Sequence, residues 1–216
     1  MTIENTKNDL LNNLNEIVNI SYKILCEKIS HGNIHVDNEP SFQLHFSYIL
    51  KTVGQLFEFS KNDRFSILLE SYIDLEEDSI KSKTKKARCD ILLMLENLNE
   101  SKKCAIELKY FKKVNHREPN NRYDYFVDLS NLESYQTNNY DLCFMIIGTD
   151  HPHYVNQNDY SDDTKDFDFR DGKQYLKGSK LVYRTEKPYG EPIILKNDYS
   201  FIWDKINSYY FLKVKI

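Results

Sequence analysis

The chain has 216 residues, a length that suits one domain able to bury its own core without disulfides or structural metals. Its formal charge of −4 excludes a wholesale basic coat for nucleic acid, though not a local basic cleft. Cys26, Cys89, Cys104 and Cys143 show no C-x-x-C spacing, the N-terminus MTIENTKNDL has no basic-then-apolar leader, and no apolar run is long enough to cross a membrane, so reduced thiols and a cytoplasmic protein are expected.

Leu10, Leu11, Leu14, Ile17, Val18, Tyr22, Leu25 and Ile29 recur at helical spacing and predict a helix over 8–30, stopped by His31-Gly32-Asn33. A second helix is predicted from Glu39-Pro40, with Phe42, Phe46, Ile49, Leu50, Val53, Leu56 and Phe57 as its apolar stripe. Glu39 and Gln43 lie four apart and share a face near its start. Glu39 has two readings: a carboxylate that complements the helix N-terminus, or an outer ligand or metal-water contact for a neighbouring site. Lys61-Asn62-Asp63-Arg64 reads as a turn and residues 65–73 as a strand. The following polar stretch changes sign, from Glu76, Glu77 and Asp78 to Lys81, Lys83, Lys85, Lys86 and Arg88; it is either a solvated loop or a basic hairpin tip that grips phosphate.

Residues 87–111, ARCDILLMLENLNESKKCAIELKYF, are two apolar runs joined by the turn Asn97-Leu98-Asn99-Glu100. Asp90 interrupts the first run; Glu107 and Lys109 interrupt the second. Charges in buried strands are costly unless they are paired or hold a metal. Strand alternation puts Glu107 and Lys109 on one face, with Cys104, Ile106 and Leu108 on the other, toward a core. A hairpin symmetric about its turn sets Asp90 opposite Glu107, with Cβ atoms about 4.5–5.5 Å apart. Two carboxylates so placed repel each other, so that either one is protonated or a cation sits between them. A slip of one residue would move Asp90 to the wrong face, and Glu107 and Lys109 would then be an ordinary surface pair.

Beyond the hairpin, Lys112, Lys113, His116, Arg117 and Arg122 read as a basic loop, solvated or in contact with phosphate. Residues 124–137 are predicted helical, with Phe126, Leu129, Leu132 and Tyr135 facing the core; Gln136 at the end is either a surface residue or one that orients a substrate. The run 141–148, DLCFMIIG, reads as a strand buried on both faces. Residues 150–180 read as a long acidic and aromatic loop, functional or mobile, with His151-Pro152-His153 exposed rather than a metal pair. Short strands are predicted at 181–184, 192–195 and 209–216, with 201–205 helical around Trp203.

The order of helix, helix, strand, hairpin carrying Asp90 and Glu107-Leu108-Lys109, helix and buried strand resembles the PD-(D/E)xK nuclease superfamily over about 39–148. Asp90 matches the family's hairpin aspartate and Glu107-Leu108-Lys109 its E-x-K; Glu39 is similar to its occasional helix glutamate, and Cys89 stands where a proline is common. The resemblance implies a single α/β domain over 1–216 with a restriction-endonuclease-like core, a central mixed β-sheet flanked by helices. In it, 5–57 is the helical N-terminal part, about 39–148 the catalytic core, and 150–216 a loop-rich remainder. It implies Asp90, Glu107 and the Leu108 carbonyl as ligands for Mg²⁺ or Mn²⁺, with Glu39 as a further candidate. Lys109 would orient the attacking water, lower its pKa or stabilise charge on phosphorus. Gln43, Lys112, Lys113, Arg117, Arg122 and Gln136 are the candidate substrate contacts. The activity implied is a metal-dependent DNA endonuclease of restriction or phage-defence type. It would act on duplex DNA as a homodimer, since cutting two strands usually takes two sites. The alternatives are an RNA-directed nuclease using the same site and a non-cutting nucleic-acid or protein interaction module.

Overall fold

The computed structural model describes residues 9–75, 79 and 83–216. Helix α1 (Leu10–Ser30) starts on Asp9, whose carboxylate accepts from the N–H groups of Leu11 and Asn12. It stops where Gly32 takes a left-handed φ of 74°. Helix α2 (Glu39–Gln55) is fixed by a capping box, with Asn38 accepting from the Ser41 N–H and the Ser41 hydroxyl taking the Asn38 N–H; Pro40 sits in its first turn. Strands β1 (Arg64–Asp74), β2 (Lys86–Glu96) and β3 (Ser101–Phe111) follow, then α3 (Glu118–Thr137) and β4 (Leu142–Thr149). The C-terminal part holds the short α4 (His153–Asn156), the two-residue strands β5 (Gln174–Tyr175), β6 (Lys180–Leu181), β7 (Ile193–Ile194) and β8 (Tyr199–Ser200), and then β9 (Trp203–Ile206) and β10 (Tyr209–Lys215).

The result is a single α/β domain whose main sheet has the order β1-β2-β3-β4-β10-β9. β3 and β4 are parallel, with α3 as their crossover; the other neighbours are antiparallel. Two cores flank this mixed sheet. On one face α1 and α2 bring Leu14, Phe42 and Phe46 onto Ile91, Ile106, Leu108 and Ile146. On the other, Phe126, Leu129 and Tyr135 of α3 join Met145, Ile147, Phe167, Phe169 and Trp203. β4 serves both cores, and every one of its residues is buried, as its unbroken apolar run predicts. All four cysteines are buried free thiols. Among the described residues no helix is long and apolar enough to cross a membrane.

Three expectations are corrected. Residues 201–205 are not helical: Trp203 to Ile206 pair with Leu212 to Tyr209 in a hairpin turned by Asn207 at φ 54°. Trp203 is buried while Asp204 and Lys205 are exposed, and the Trp203 indole donates to the Phe169 carbonyl. The 150–180 segment is a packed layer and not an open loop, because Phe167 and Phe169 are fully buried and the ring of Tyr154 stacks on Phe169. Within it His151 is mostly covered, its Nε2 2.9 Å from Glu118. Helix α3 begins six residues earlier than predicted, with Pro119 in its first turn, so it takes Arg122 out of the supposed basic loop. The acidic-to-basic stretch is described only in part, since residues 76–78 and 80–82 lie outside the described residues.

Gly54 on α2 is a point where helix propensity and packing oppose each other. A Cβ there would lie 2.3 Å from the Phe65 ring, which is buried and has no room to retreat. Alanine normally gains about 1 kcal/mol over glycine in a helix, but forced overpacking costs about 1–3 kcal/mol. Gly54→Ala is therefore expected to lower the thermal unfolding midpoint; a rise would show that α2 and β1 can separate cheaply.

Candidate active site

The β2–β3 hairpin is fixed at its turn by Asn97, whose side chain accepts from the N–H groups of Asn99 and Glu100. The ladder runs from Glu96↔Ser101 to Ile91↔Ile106 and stops there. The next pair in the same register is Asp90 and Glu107, so the facing carboxylates predicted from sequence stand where the ladder opens. Backbone pairing there gives way to a side chain: Asp90 Oδ2 accepts from the Leu108 N–H at 2.7 Å.

The neighbouring ladder is interrupted at the same level. β1 and β2 pair at Leu69↔Ile91 and Ser71↔Cys89, and the intervening Glu70 has φ 52°. On one side of this point Phe65, Ile67, Ile91 and Leu93 pack with α1 and α2; on the other, Ile73, Ala87 and Cys89 pack beneath α3. The β1–β2 ribbon thus changes core at the Glu70–Asp90 level. The two cores part there, and a cavity of about 370 Å³ opens between them.

Among the described residues five carboxylates line this cavity: Glu39, Glu70, Asp90, Glu107 and Asp128. Glu107 is buried and accepts from the Tyr135 hydroxyl at 3.1 Å. Burial first, then the charges of Asp128 and Asp90, hold its carboxyl well above the usual range. Asp90 is also raised, by burial, against the opposing pull of Lys109 and the Leu108 N–H. Lys109 is the buried cation among them. Its Nζ lies 2.6 Å from Asp128 Oδ2 and 3.6 Å from Glu39 Oε1, and it donates to the Leu108 carbonyl at 3.1 Å. Burial alone would depress the ammonium, but Asp128, Glu39, Asp90 and Glu107 outweigh it, and Lys109 stays charged well above its usual range. Gln43 Nε2 donates both to Glu70 Oε1 and to the Asp90 carbonyl, each at 2.9 Å, tying α2 to both interrupted strands.

Asp90, Glu107, Lys109, Glu39 and Gln43, all singled out in the sequence, therefore meet in one cavity. The remaining substrate candidates do not line it. Arg122 is corrected outright: it is buried in α3, donating to the Thr164 and Phe167 carbonyls and the Thr164 hydroxyl, with its guanidinium carbon 3.6 Å from the centre of the Tyr160 ring. That bonding ties α3 to the 150–180 layer and cannot reach a ligand. Lys112 reaches Asp37, Lys113 donates its backbone N–H to Asp150, and Arg117 stands at the N-cap position of α3 with no capping bond from its side chain. Gln136 bonds the Ile216 carbonyl beside Ser101 and Asp141, at the far end of β3. Among the described residues the basic ones that do line the cavity, besides Lys109, are Lys86 and Arg88.

Sequence reasoning missed Asp128, Asn131 and Glu70. Asp128 and Asn131, together with Tyr135, recur at i, i+3 and i+7 on α3 and face the sheet. That helix is covered almost all round, and its polar buried residues were masked by the apolar stripe. For Glu70 the one-dimensional sequence holds no signal, because a left-handed glutamate inside a strand is not a propensity.

The donors that Asp90, Glu107 and the Leu108 carbonyl offer are hard oxygens. Among the described residues no group of three or more His, Cys, Asp or Glu side chains is arranged to hold a metal ion alone. Two carboxylates and a carbonyl fit an ion that keeps several of its own waters, which is the habit of Mg²⁺. Burial raises Glu107 most, and the charges of Asp128 and Asp90 add to it; that added repulsion is what a cation at this point would relieve.

The raised Glu107 carboxyl has a consequence for stability. An acid raised above its unfolded value of about 4.5 binds a proton on folding. Its contribution is full below that value and is lost as pH rises through the folded pKa. Glu107→Gln keeps the shape and cannot ionise, so its melting temperature relative to the parent chain is expected to increase from pH 5 to pH 8 in metal-free buffer. A difference independent of pH would mean that Glu107 is ionised throughout.

Comparison of the chain with protein-family models, with curated proteins and with solved structures returns no match.

Proposed function

We propose that the cavity hydrolyses phosphodiester bonds in DNA with the help of Mg²⁺ or Mn²⁺, and that the chain is an endonuclease of restriction or phage-defence type. One observation carries the reading: Asp90 and Glu107, next in register past the end of the β2–β3 ladder, line the same cavity as charged Lys109 two residues on. The resemblance of Asp90 and Glu107-Leu108-Lys109 to the PD-(D/E)xK pattern supports it. When bound, the ion would supply charge neutralisation at phosphorus and an activated water.

The chain's own groups have separable roles. Asp90, Glu107 and the Leu108 carbonyl would hold the ion. The Leu108 N–H fixes the Asp90 carboxylate, and the Tyr135 hydroxyl fixes that of Glu107. Lys109 keeps its proton, so it acts as a donor and a charge toward phosphate or water and not as a base. Asp128 positions the Lys109 ammonium through their 2.6 Å contact. Cutting both strands of a duplex calls for two such cavities, and we propose that two copies of the chain act together.

The test is degradation of supercoiled plasmid DNA, beside single-stranded RNA, in Mg²⁺, Mn²⁺ or EDTA. Plasmid cutting is expected with either ion and not with EDTA. Asp90→Ala and Lys109→Ala should each lose about 10²–10³ in rate. Cutting of RNA alone would keep the site and change the substrate. Cutting that survives both substitutions would locate the chemistry elsewhere.

A further inference from the structure

Glu70 stands in an edge strand with φ 52°, a conformation that glycine adopts freely and a glutamate does not. The backbone at this position gains nothing from a side chain, so what the position gains is the side chain itself. That side chain lines the cavity and is held from both ends. Its Oε1 accepts from Gln43 at 2.9 Å, and its Oε2 lies 2.9 Å from Arg88 Nε. Arg88 sits on β2 two residues before Asp90, and its side chain is 62% exposed at the cavity mouth. Among the described residues its two Nη groups make no hydrogen bond.

We propose that Arg88 receives a phosphate of the substrate next to the reacting one, and that Glu70 is its built-in competitor, parking the guanidinium until a phosphate displaces it. This rests on reading the cavity as a phosphodiester site. An exposed carboxylate–guanidinium pair is weak, whereas a phosphate offers the guanidinium a bidentate, doubly charge-assisted partner. The exchange therefore runs toward phosphate. Gln43 bonds the same Glu70 carboxylate and the Asp90 carbonyl, so the parked pair is joined to the strand segment that carries Asp90.

The test is binding without turnover: fluorescence anisotropy of fluorescein-labelled DNA oligonucleotides, single-stranded and duplex, in EDTA and in Ca²⁺. Arg88→Gln is expected to weaken binding about 10-fold and to reduce the salt dependence by about one phosphate contact. Glu70→Gly is expected to tighten binding several-fold with a melting temperature equal to or above that of the parent chain. Binding unchanged in Arg88→Gln overturns the proposal, and so does the absence of measurable binding by the parent chain in both conditions. A lower melting temperature for Glu70→Gly also overturns it, since Glu70 would then serve the fold. Because no bond is cut in this assay, a chain that fails to cleave plasmid but shows the expected pattern keeps the parked arginine, and one that cleaves without the pattern loses it alone.

Discussion

The contact between the Lys109 ammonium and Asp128, 2.6 Å long and almost wholly covered, governs how the two sides of this protein meet. Each charge alone would be intolerable at that depth, and breaking such a pair by removing one partner typically costs about 3–5 kcal/mol. Asp128 is delivered by α3 and Lys109 by β3, so the crossover helix is tied to the strand next to its own start at a fixed height. The second carboxylate on Lys109, Glu39, comes from the first turn of α2 on the opposite side of the sheet. One ammonium thus ties helices from both layers to one strand. The cavity exists because the apolar layers cannot close over it.

The same arrangement explains why carboxylates accumulate around so few cations. Apolar packing surrounds the charged cluster on both faces, and Tyr135, Gln43 and the Leu108 N–H supply its local hydrogen bonds. Glu107 remains the strained member: it accepts from the Tyr135 hydroxyl, and burial, then the charges of Asp128 and Asp90, push its carboxyl upward. A group kept in that condition has a reason to accept a cation, and under the proposed chemistry that strain is what the ion relieves.

Much of this was legible in the sequence because the relevant rules are short-range. Hairpin symmetry about Asn97–Glu100 places Asp90 against Glu107, and strand alternation places Lys109 beside them; both depend only on counting. The stop of α1 at Gly32, the start of α2 at Glu39-Pro40 and the wholly apolar β4 follow from local pattern in the same way. What could not be read depends on distant contacts. Arg122 looked like part of a basic loop because its partners, Thr164 and Phe167, are some forty residues away. The Phe201–Lys205 stretch looked helical because the strand that claims it lies beyond the next turn. Asp128 was hidden inside a helix buried on nearly every side, where an apolar stripe no longer marks an inward face.

The reversal of the β1–β2 ribbon at Glu70 and Asp90 divides one continuous hairpin into two halves with different allegiances. Phe65, Ile67, Ile91, Leu93 and Leu95 pack with α1 and α2, while Ile73, Ala87 and Cys89 belong to the core on the α3 side. Backbone amides exchange with solvent by cooperative openings of packed units. The two halves of the ribbon are therefore expected to open separately, although they are adjacent along the same strands. Asp90 lies on the boundary, so loosening either layer is expected to reach its carboxylate.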